Sequence, residues 1–320
     1  MTKHKRKWRP PPGLIRLVDW LLAHSLFVVL KLARLLPTDT ALNIGGWLTR
    51  SLGPFLREHH VAEENLAAAF PDLSGQQRKD ILTRAWDNLG RTGAEYVFLD
   101  RIFDFDADNP DSGRFEVDGI KRFLAIRDSG KPAILFSAHL ANWEILAVCA
   151  AAFDLDMTAL FRPPNNAFVA ERLDRVRRET MGKLVPSMTG AAIALGSALE
   201  RGGRVGLLVD QFYHRGPALT FFGRKAQTNP LLGILARRFD CPVYGARTIR
   251  LAGGRFRLEL FGPYDLPRDE GGEIDIDATM QMVTSIVEDW VREYPDQWLW
   301  MHRRWRGLSK NQKSRGRKPA

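Results

Sequence analysis

The chain has 320 residues, is 45% hydrophobic and carries a formal net charge of +10, which allows a full core and excludes a largely disordered polymer. Residues 1–10 hold five Lys or Arg and residues 303–320 hold eight, with no Asp or Glu in either stretch, so the folded body between them is slightly acidic. Two cationic tails on such a body fit an anionic membrane surface and speak against nucleic acid, whose binders more often carry their positive charge on the fold itself.

After the basic tip comes "LIRLVDWLLAHSLFVVLKLARLLP" (14–37). Asp19 and Lys31 leave only 11 uncharged residues between them, short of the roughly 20 that a clean transmembrane helix needs. Leu14, Leu17, Val18, Leu21 and Leu22 recur at helical spacing. The segment therefore reads as a membrane helix that either spans the bilayer or lies in its interface, or else as an ordinary surface helix packed on the domain. No small-residue cleavage site follows it, and basic residues precede it, so we expect it to be retained with the body on the cytoplasmic side.

From 38 to 100 the apolar spacing is helical, with a turn and helix cap at "FPDLS" around Pro71 and Ser74. From 115 the period changes. "FEVDG" predicts a strand, "IKRFLAIRDSG" a helix, and "KPAILFSAH" an apolar strand covered on both faces. Helix, strand and helix follow through "NWEILAVCAAAF", "DMTALFR" and "NNAFVAERLDRVRRETMG". Then come strand "KLVPS", helix "TGAAIALGSALERGG" and strand "RVGLLVDQ". The segment 229–263 predicts a helix and an antiparallel strand pair turning at Gly253-Gly254, before a last helix over 275–293. This alternation predicts an α/β fold: a mixed central sheet with helices on both faces, preceded by the membrane-associated helix. Cys149 and Cys241 lie in apolar surroundings and read as buried thiols of a reducing compartment.

Ligands of open α/β sheets bind beyond the carboxyl ends of strands, and three strands end in polar groups: His139, Arg162 and Asp210-Gln211. His139 falls in a strand-to-helix turn, Asn142 can cap the helix, and Glu144 falls in its first turn. A carboxylate bonded to one imidazole nitrogen fixes the tautomer and leaves the other nitrogen as a base. Glu144 is the expected carboxylate. Asp210 needs a buried partner of its own, with Arg162 or His139 the candidates.

Arg162 leaves its strand just before two prolines, placed for a phosphate or a substrate carbonyl. Arg172, Arg175 and Arg178 recur every third residue and can share a helix face open to phosphorylated headgroups or an acidic carrier protein. The aromatics Phe212, Tyr213, Phe221 and Phe222 suit the wall of an apolar ligand site. "WLWMHRRWRG", with Trp298, Trp300, Trp305, Arg303 and Arg304, reads as a membrane-interface patch, or else as aromatic packing of the C-terminal segment. A serine-hydrolase elbow is missing near any strand end, and "HLANWE" lacks the spacing of a zinc helix, so no metal is expected.

The ordered set "ENLAAAFPDLS" (64–74), "WDNLGRTGAEY" (86–96), "HLANWE" (139–144), "FRPPNN" (161–166), "LLVDQ" (207–211), "FFGRKAQT" (221–228) and "WLWMHRRW" (298–305) resembles the lipid A biosynthesis acyltransferase family, most of all its lauroyl-transferring members. The resemblance implies a glycerolipid-acyltransferase-like fold on an inner-membrane anchor, with the catalytic domain facing the cytoplasm. It implies transfer of a fatty acyl chain from acyl carrier protein to a hydroxyl of a lipid A precursor, an anionic glycolipid, without an acyl-enzyme or a cofactor. In that frame His139 is the general base and Glu144 its orienting partner, while Arg162, Asp210 and Gln211 shape the substrate site. Three regions follow: a basic tip and anchor or interfacial helix (1–37), the acyltransferase domain with its helical cover (38–306) and a basic tail (307–320). Two alternatives share these motifs: an acyltransferase on another membrane glycolipid such as a phosphatidylinositol mannoside, or an inactive membrane scaffold.

Overall fold

The structure, a computed structural model, describes residues 11–306 apart from 107, 110 and 111; the tip before residue 11 and the tail expected over 307–320 lie outside the described residues. Helices come first: α1 (Pro12–Ala33), α2 (Thr38–Leu52), a 3-10 turn (Gly53–Phe55), α3 (Arg57–Ala69), α4 (Gly75–Glu95) and α5 (Leu99–Ile102). Ser74 starts α4 with a reciprocal cap, its hydroxyl accepting from Gln77 N while its own N–H donates to the Gln77 side chain.

The α/β part follows as β1 (Phe115–Asp118), α6 (Ile120–Asp128), β2 (Ala133–Ser137), α7 (Ile145–Ala152), β3 (Met157–Phe161), α8 (Ala167–Thr180), β4 (Lys183–Pro186), α9 (Ala191–Glu200) and β5 (Arg204–Leu208). It ends with β6 (Ala218–Phe221), β7 (Arg224–Gln227), α10 (Leu231–Phe239), β8 (Val243–Arg250), β9 (Phe256–Phe261) and α11 (Ile276–Glu293). Seven strands form one mixed sheet in the order β1-β9-β8-β2-β5-β3-β4. β8, β2, β5, β3 and β4 run parallel, and β9 pairs antiparallel with β8. Every residue of β2 is buried, as a strand covered on both faces requires. Ile134 and Phe136 point into the core shared with α9, α10 and α11, while Ala133 and Leu135 point into the core shared with α6 and α7.

Two sequence expectations change. The aromatic loop after Asp210 contains an antiparallel hairpin, β6–β7, and Phe221 and Phe222 join the main core instead of walling a ligand site. The C-terminal "WLWMHRRW" is an interior cluster and not a membrane patch: Trp298, Trp300, Trp305 and Arg304 are all buried. Arg304 can go inside because its donors meet the Gln227 carbonyl at 2.7 Å and the Thr228 hydroxyl at 2.6 Å, and its guanidinium lies over the Phe221 ring.

Candidate active site

The turn after β2 carries His139, and it is held by a buried polar network rather than by its own sequence alone. Ala141 takes a positive φ of 45°, uncommon for a residue with a Cβ. Its carbonyl accepts from the Thr92 hydroxyl at 3.0 Å and its N–H donates to Gln297 O at 2.9 Å. The Asn142 side chain accepts from Glu144 N and donates to Glu95, which is fully buried and salt-bridged to Arg250. Arg250 also donates to Asn88 at 2.8 Å. Asn88 in turn donates to Ala141 O at 3.4 Å, so the α4 residues Asn88, Thr92 and Glu95 all bond to the turn.

His139 is itself buried, and both ring nitrogens are engaged. Nδ1 lies 2.7 Å from Asp210 Oδ1, and Nε2 lies 2.9 Å from the Gln211 amide nitrogen. Asp210 Oδ2 accepts from His139 N and from Trp298 Nε1, both at 2.8 Å. Burial pushes the Asp210 carboxyl up, but the pull of His139 and these hydrogen bonds outweigh it and hold it well below the usual carboxylate range. An ionised Asp210 can only accept, so the neutral imidazole carries its proton on Nδ1 and presents the Nε2 lone pair to the amide of Gln211.

The expected partner is therefore replaced. Asp210, one of whose two candidate partners was His139, takes the imidazole, whereas Glu144 turns to Arg177, 2.6 Å away. Glu144 begins α7, and its carboxylate meets Arg177 from α8 on one side of the cavity; Arg177 also donates to the Tyr96 hydroxyl at 2.8 Å and lies over the Phe161 ring. The non-helical turn of residues 139–144, with Ala141 at positive φ, leaves Glu144 at the start of α7 facing Arg177, while the neighbouring strand β5 brings Asp210 alongside β2.

A cavity of about 970 Å³ opens at this pair, at the upper end of the roughly 300–1,000 Å³ of small-molecule sites. Leu135, Leu146, Ala150, Met157, Ala246 and Leu260 make its walls apolar. Gly206 lines it on β5, where a Cβ would lie 3.2 Å from Met157 Sδ, so glycine keeps that part of the wall open. Cys149 also lines it, but burial pushes its thiol up to about 12, which leaves no thiolate to act as nucleophile. Arg162 is exposed at the rim and pairs with no carboxylate among the described residues. Arg172, Arg175 and Arg178 are exposed on α8 outside the cavity lining, and Arg178 pairs with Asp174.

His139, Glu144, Arg162 and Gln211 line one cavity, with Asp210 directly behind the imidazole. Sequence reasoning passed over Tyr96 and Arg177, and it noted Trp298 as an interface or packing residue without its bond to Asp210. Tyr96 and Trp298 lie inside quoted motifs, but no spacing rule ties them to His139, and Arg177 falls between the regularly spaced arginines that drew attention.

A buried imidazole–carboxylate pair beside a largely apolar cavity is an arrangement that acyl transfer can use. Comparison with known proteins agrees. The model of the bacterial lipid A biosynthesis acyltransferases matches residues 12–307. The chain is 24% identical over 268 residues to the lipid A biosynthesis palmitoleoyltransferase of Escherichia coli (strain K12), covering 79% of this chain and 80% of that one. The lipid A biosynthesis acyltransferase of Shigella flexneri matches to the same extent. With the family match spanning nearly the whole described fold, the chain belongs to the bacterial lipid A biosynthesis acyltransferases.

Proposed function

We propose that this acyltransferase moves a fatty acyl chain from the thioester of acyl carrier protein to a hydroxyl of a lipid A precursor at the inner membrane, its catalytic domain facing the cytoplasm. The observation that carries the reading is the buried His139–Asp210 pair at the mouth of the apolar cavity. The acyl chain lies in the cavity and its thioester carbon stands near Nε2. The acceptor hydroxyl takes the place of the Gln211 amide at that nitrogen.

As the hydroxyl oxygen attacks the carbonyl carbon, its proton passes to Nε2 and Asp210 stabilises the imidazolium. The tetrahedral centre collapses by breaking the carbon–sulfur bond, and the leaving thiolate recovers the proton from Nε2. The products are an ester and a free carrier thiol, with no acyl-enzyme. Arg162, a cation at the rim with no carboxylate partner among the described residues, is placed for the developing oxyanion or an acceptor phosphate. Glu144 holds Arg177 on the cavity wall, and Arg172, Arg175 and Arg178 offer an exposed cationic face to an acidic carrier.

The test is mass spectrometry of products after incubating detergent-solubilised protein with lauroyl, myristoyl, palmitoyl and palmitoleoyl carrier protein and a tetra-acylated, Kdo-bearing lipid A precursor. A single added acyl mass, lost in His139→Ala, supports the reading and ranks the donors. Acyl transfer only to another glycolipid, such as a phosphatidylinositol mannoside, overturns the acceptor. No product from any pair with folded protein overturns the catalytic reading in favour of a scaffold.

A further inference from the structure

α2 is amphipathic the wrong way round for a water-facing helix. Apart from the buried Leu42 its inner face is small: Gly45 packs so close to α4 that an added Cβ would lie 2.8 Å from Gly90 O, and Thr49 donates to Trp86 O at 2.6 Å. Its outer face is a helical stripe of Ile44, Trp47, Leu48 and Leu52, continued by Phe55 and Leu56, all exposed, with Phe55 at 87%. A soluble helix buries its bulky stripe; this one presents it.

α1 is a second such surface. Gly13–Ala33 is long and apolar enough to cross a bilayer, yet it does not stand free of the domain. Asp19, Ala23, Phe27, Leu30 and Ala33 form one stripe against the body, and nearly everything else on the helix is exposed. The contacts are specific: Asn166 donates to Asp19 O at 2.9 Å, His24 packs edge-on against Phe168, and Leu30 and Ala33 join the second core cluster. The attached stretch, 19–33, is about 21 Å long at 1.5 Å per residue.

That attachment decides how α1 can meet a membrane. Were α1 to cross a hydrocarbon layer about 30 Å thick, the start of α8 would be carried in with it. Glu171, Arg172 and Arg175 are exposed within three turns of Asn166, and charges at that depth are expensive. A helix lying flat avoids this. It also keeps the five cations of residues 1–10 and the later Lys31, Arg34, Arg50 and Arg57 on one anionic leaflet, where a single span would send one set across.

We propose that α1 and the α2 stripe with Phe55 form one in-plane seat on an anionic lipid surface, so that the protein is held in a single leaflet and no helix crosses. Nothing in this seat depends on the acyl-transfer chemistry, because binding and depth, not turnover, report it.

The test uses the full chain on vesicles of phosphatidylethanolamine and phosphatidylglycerol. Single cysteines at Leu17, Val28 and Phe55, in a background where buried Cys149 and Cys241 are replaced by alanine, carry an environment-sensitive fluorophore, and lipids quenched at shallow or deep acyl positions read its depth. The expected result is one shallow depth for all three positions, together with at least tenfold weaker vesicle flotation of the W47E/L52E/F55E variant at unchanged circular dichroism. A deep position at Val28 or Leu17, or label at residue 17 reachable only from the far side, overturns the in-plane seat. Unchanged flotation of the triple variant, or a concentration-dependent dimer abolished by it, removes α2 from the seat. If the triple variant misfolds, the depth readings on the three labelled single-cysteine proteins still decide.

Discussion

Replacing Asp210 by Asn asks which carboxylate serves His139. The Asp210 carboxylate accepts three hydrogen bonds, from His139 Nδ1, His139 N and Trp298 Nε1. An amide has one acceptor oxygen and must turn its NH2 toward one of these donors. If it meets the ring, Nδ1 becomes an acceptor and the proton moves to Nε2, the atom needed as base. The variant also loses the charge that stabilises the imidazolium. Two unit charges about 4 Å apart interact by about 4 kcal/mol at an effective dielectric of 20, which corresponds to roughly a thousandfold in kcat at 1.36 kcal/mol per decade.

The assay pairs turnover with 15N NMR of histidine-labelled protein, the His139 signals assigned by difference from His139→Ala. Wild type should show the proton on Nδ1, Asp210→Asn should show it on Nε2 with kcat down about 10³-fold and KM little changed, and Glu144→Gln should leave the tautomer as it was. A tautomer that moves in Glu144→Gln and stays in Asp210→Asn refutes the reasoning.

Gln211→Ala uncovers Nε2, and water gains access to the base; the ratio of hydrolysed thioester to ester formed should rise roughly threefold or more, the worth of one hydrogen bond, read as free acid against acylated lipid. Glu95→Gln leaves the Arg250 guanidinium without its buried counter-charge and should cost about 3–5 kcal/mol of stability, measured by urea denaturation. Burial, with neighbouring charges, lowers His302 from its ordinary 6.5 to about 4, so the folded state keeps it neutral where the unfolded chain protonates. Its contribution is intact above about pH 6.5 and is lost as pH falls toward 4, by at most about 3 kcal/mol; His302→Asn should flatten that part of the acid limb of a denaturation series.

The order of strands and helices from 115 to 200 was legible because apolar runs, caps and glycines agree there: Asn166 caps the helix that follows it, and Gly119 and Gly190 take positive φ just before α6 and α9. His139, Asp210 and Gln211 could be nominated as strand-end residues, since the parallel sheet brings adjacent strand ends together whatever their distance in sequence. The His139–Asp210 bond could only be left open between two partners, because strand order fixes it, and β5 beside β2 is a fact of topology rather than of spacing. The C-terminal aromatics misled for a related reason. A Trp and Arg mixture is the same in composition whether it meets lipid or the hairpin, and only the carbonyl partners of Arg304 distinguish the two. Arg177 escaped notice because a buried arginine on α8 has no sequence mark that separates it from its solvated neighbours.

α4 has two working sides. Through glycine contacts too close for a side chain it is fused to α2, and through Asn88, Thr92 and Glu95 it clamps the turn that carries His139. No loop intervenes between the two sides, so the helix acts as a spacer of fixed length. Whatever surface α2 rests on, His139 stands at a set height above it. On the proposed acyl transfer, a substrate whose reactive hydroxyl projects to that height would be served, and one whose hydroxyl stops short would not be reached by flexing α4. Selection among acceptors would then begin with geometry normal to the membrane, before any group in the cavity is touched.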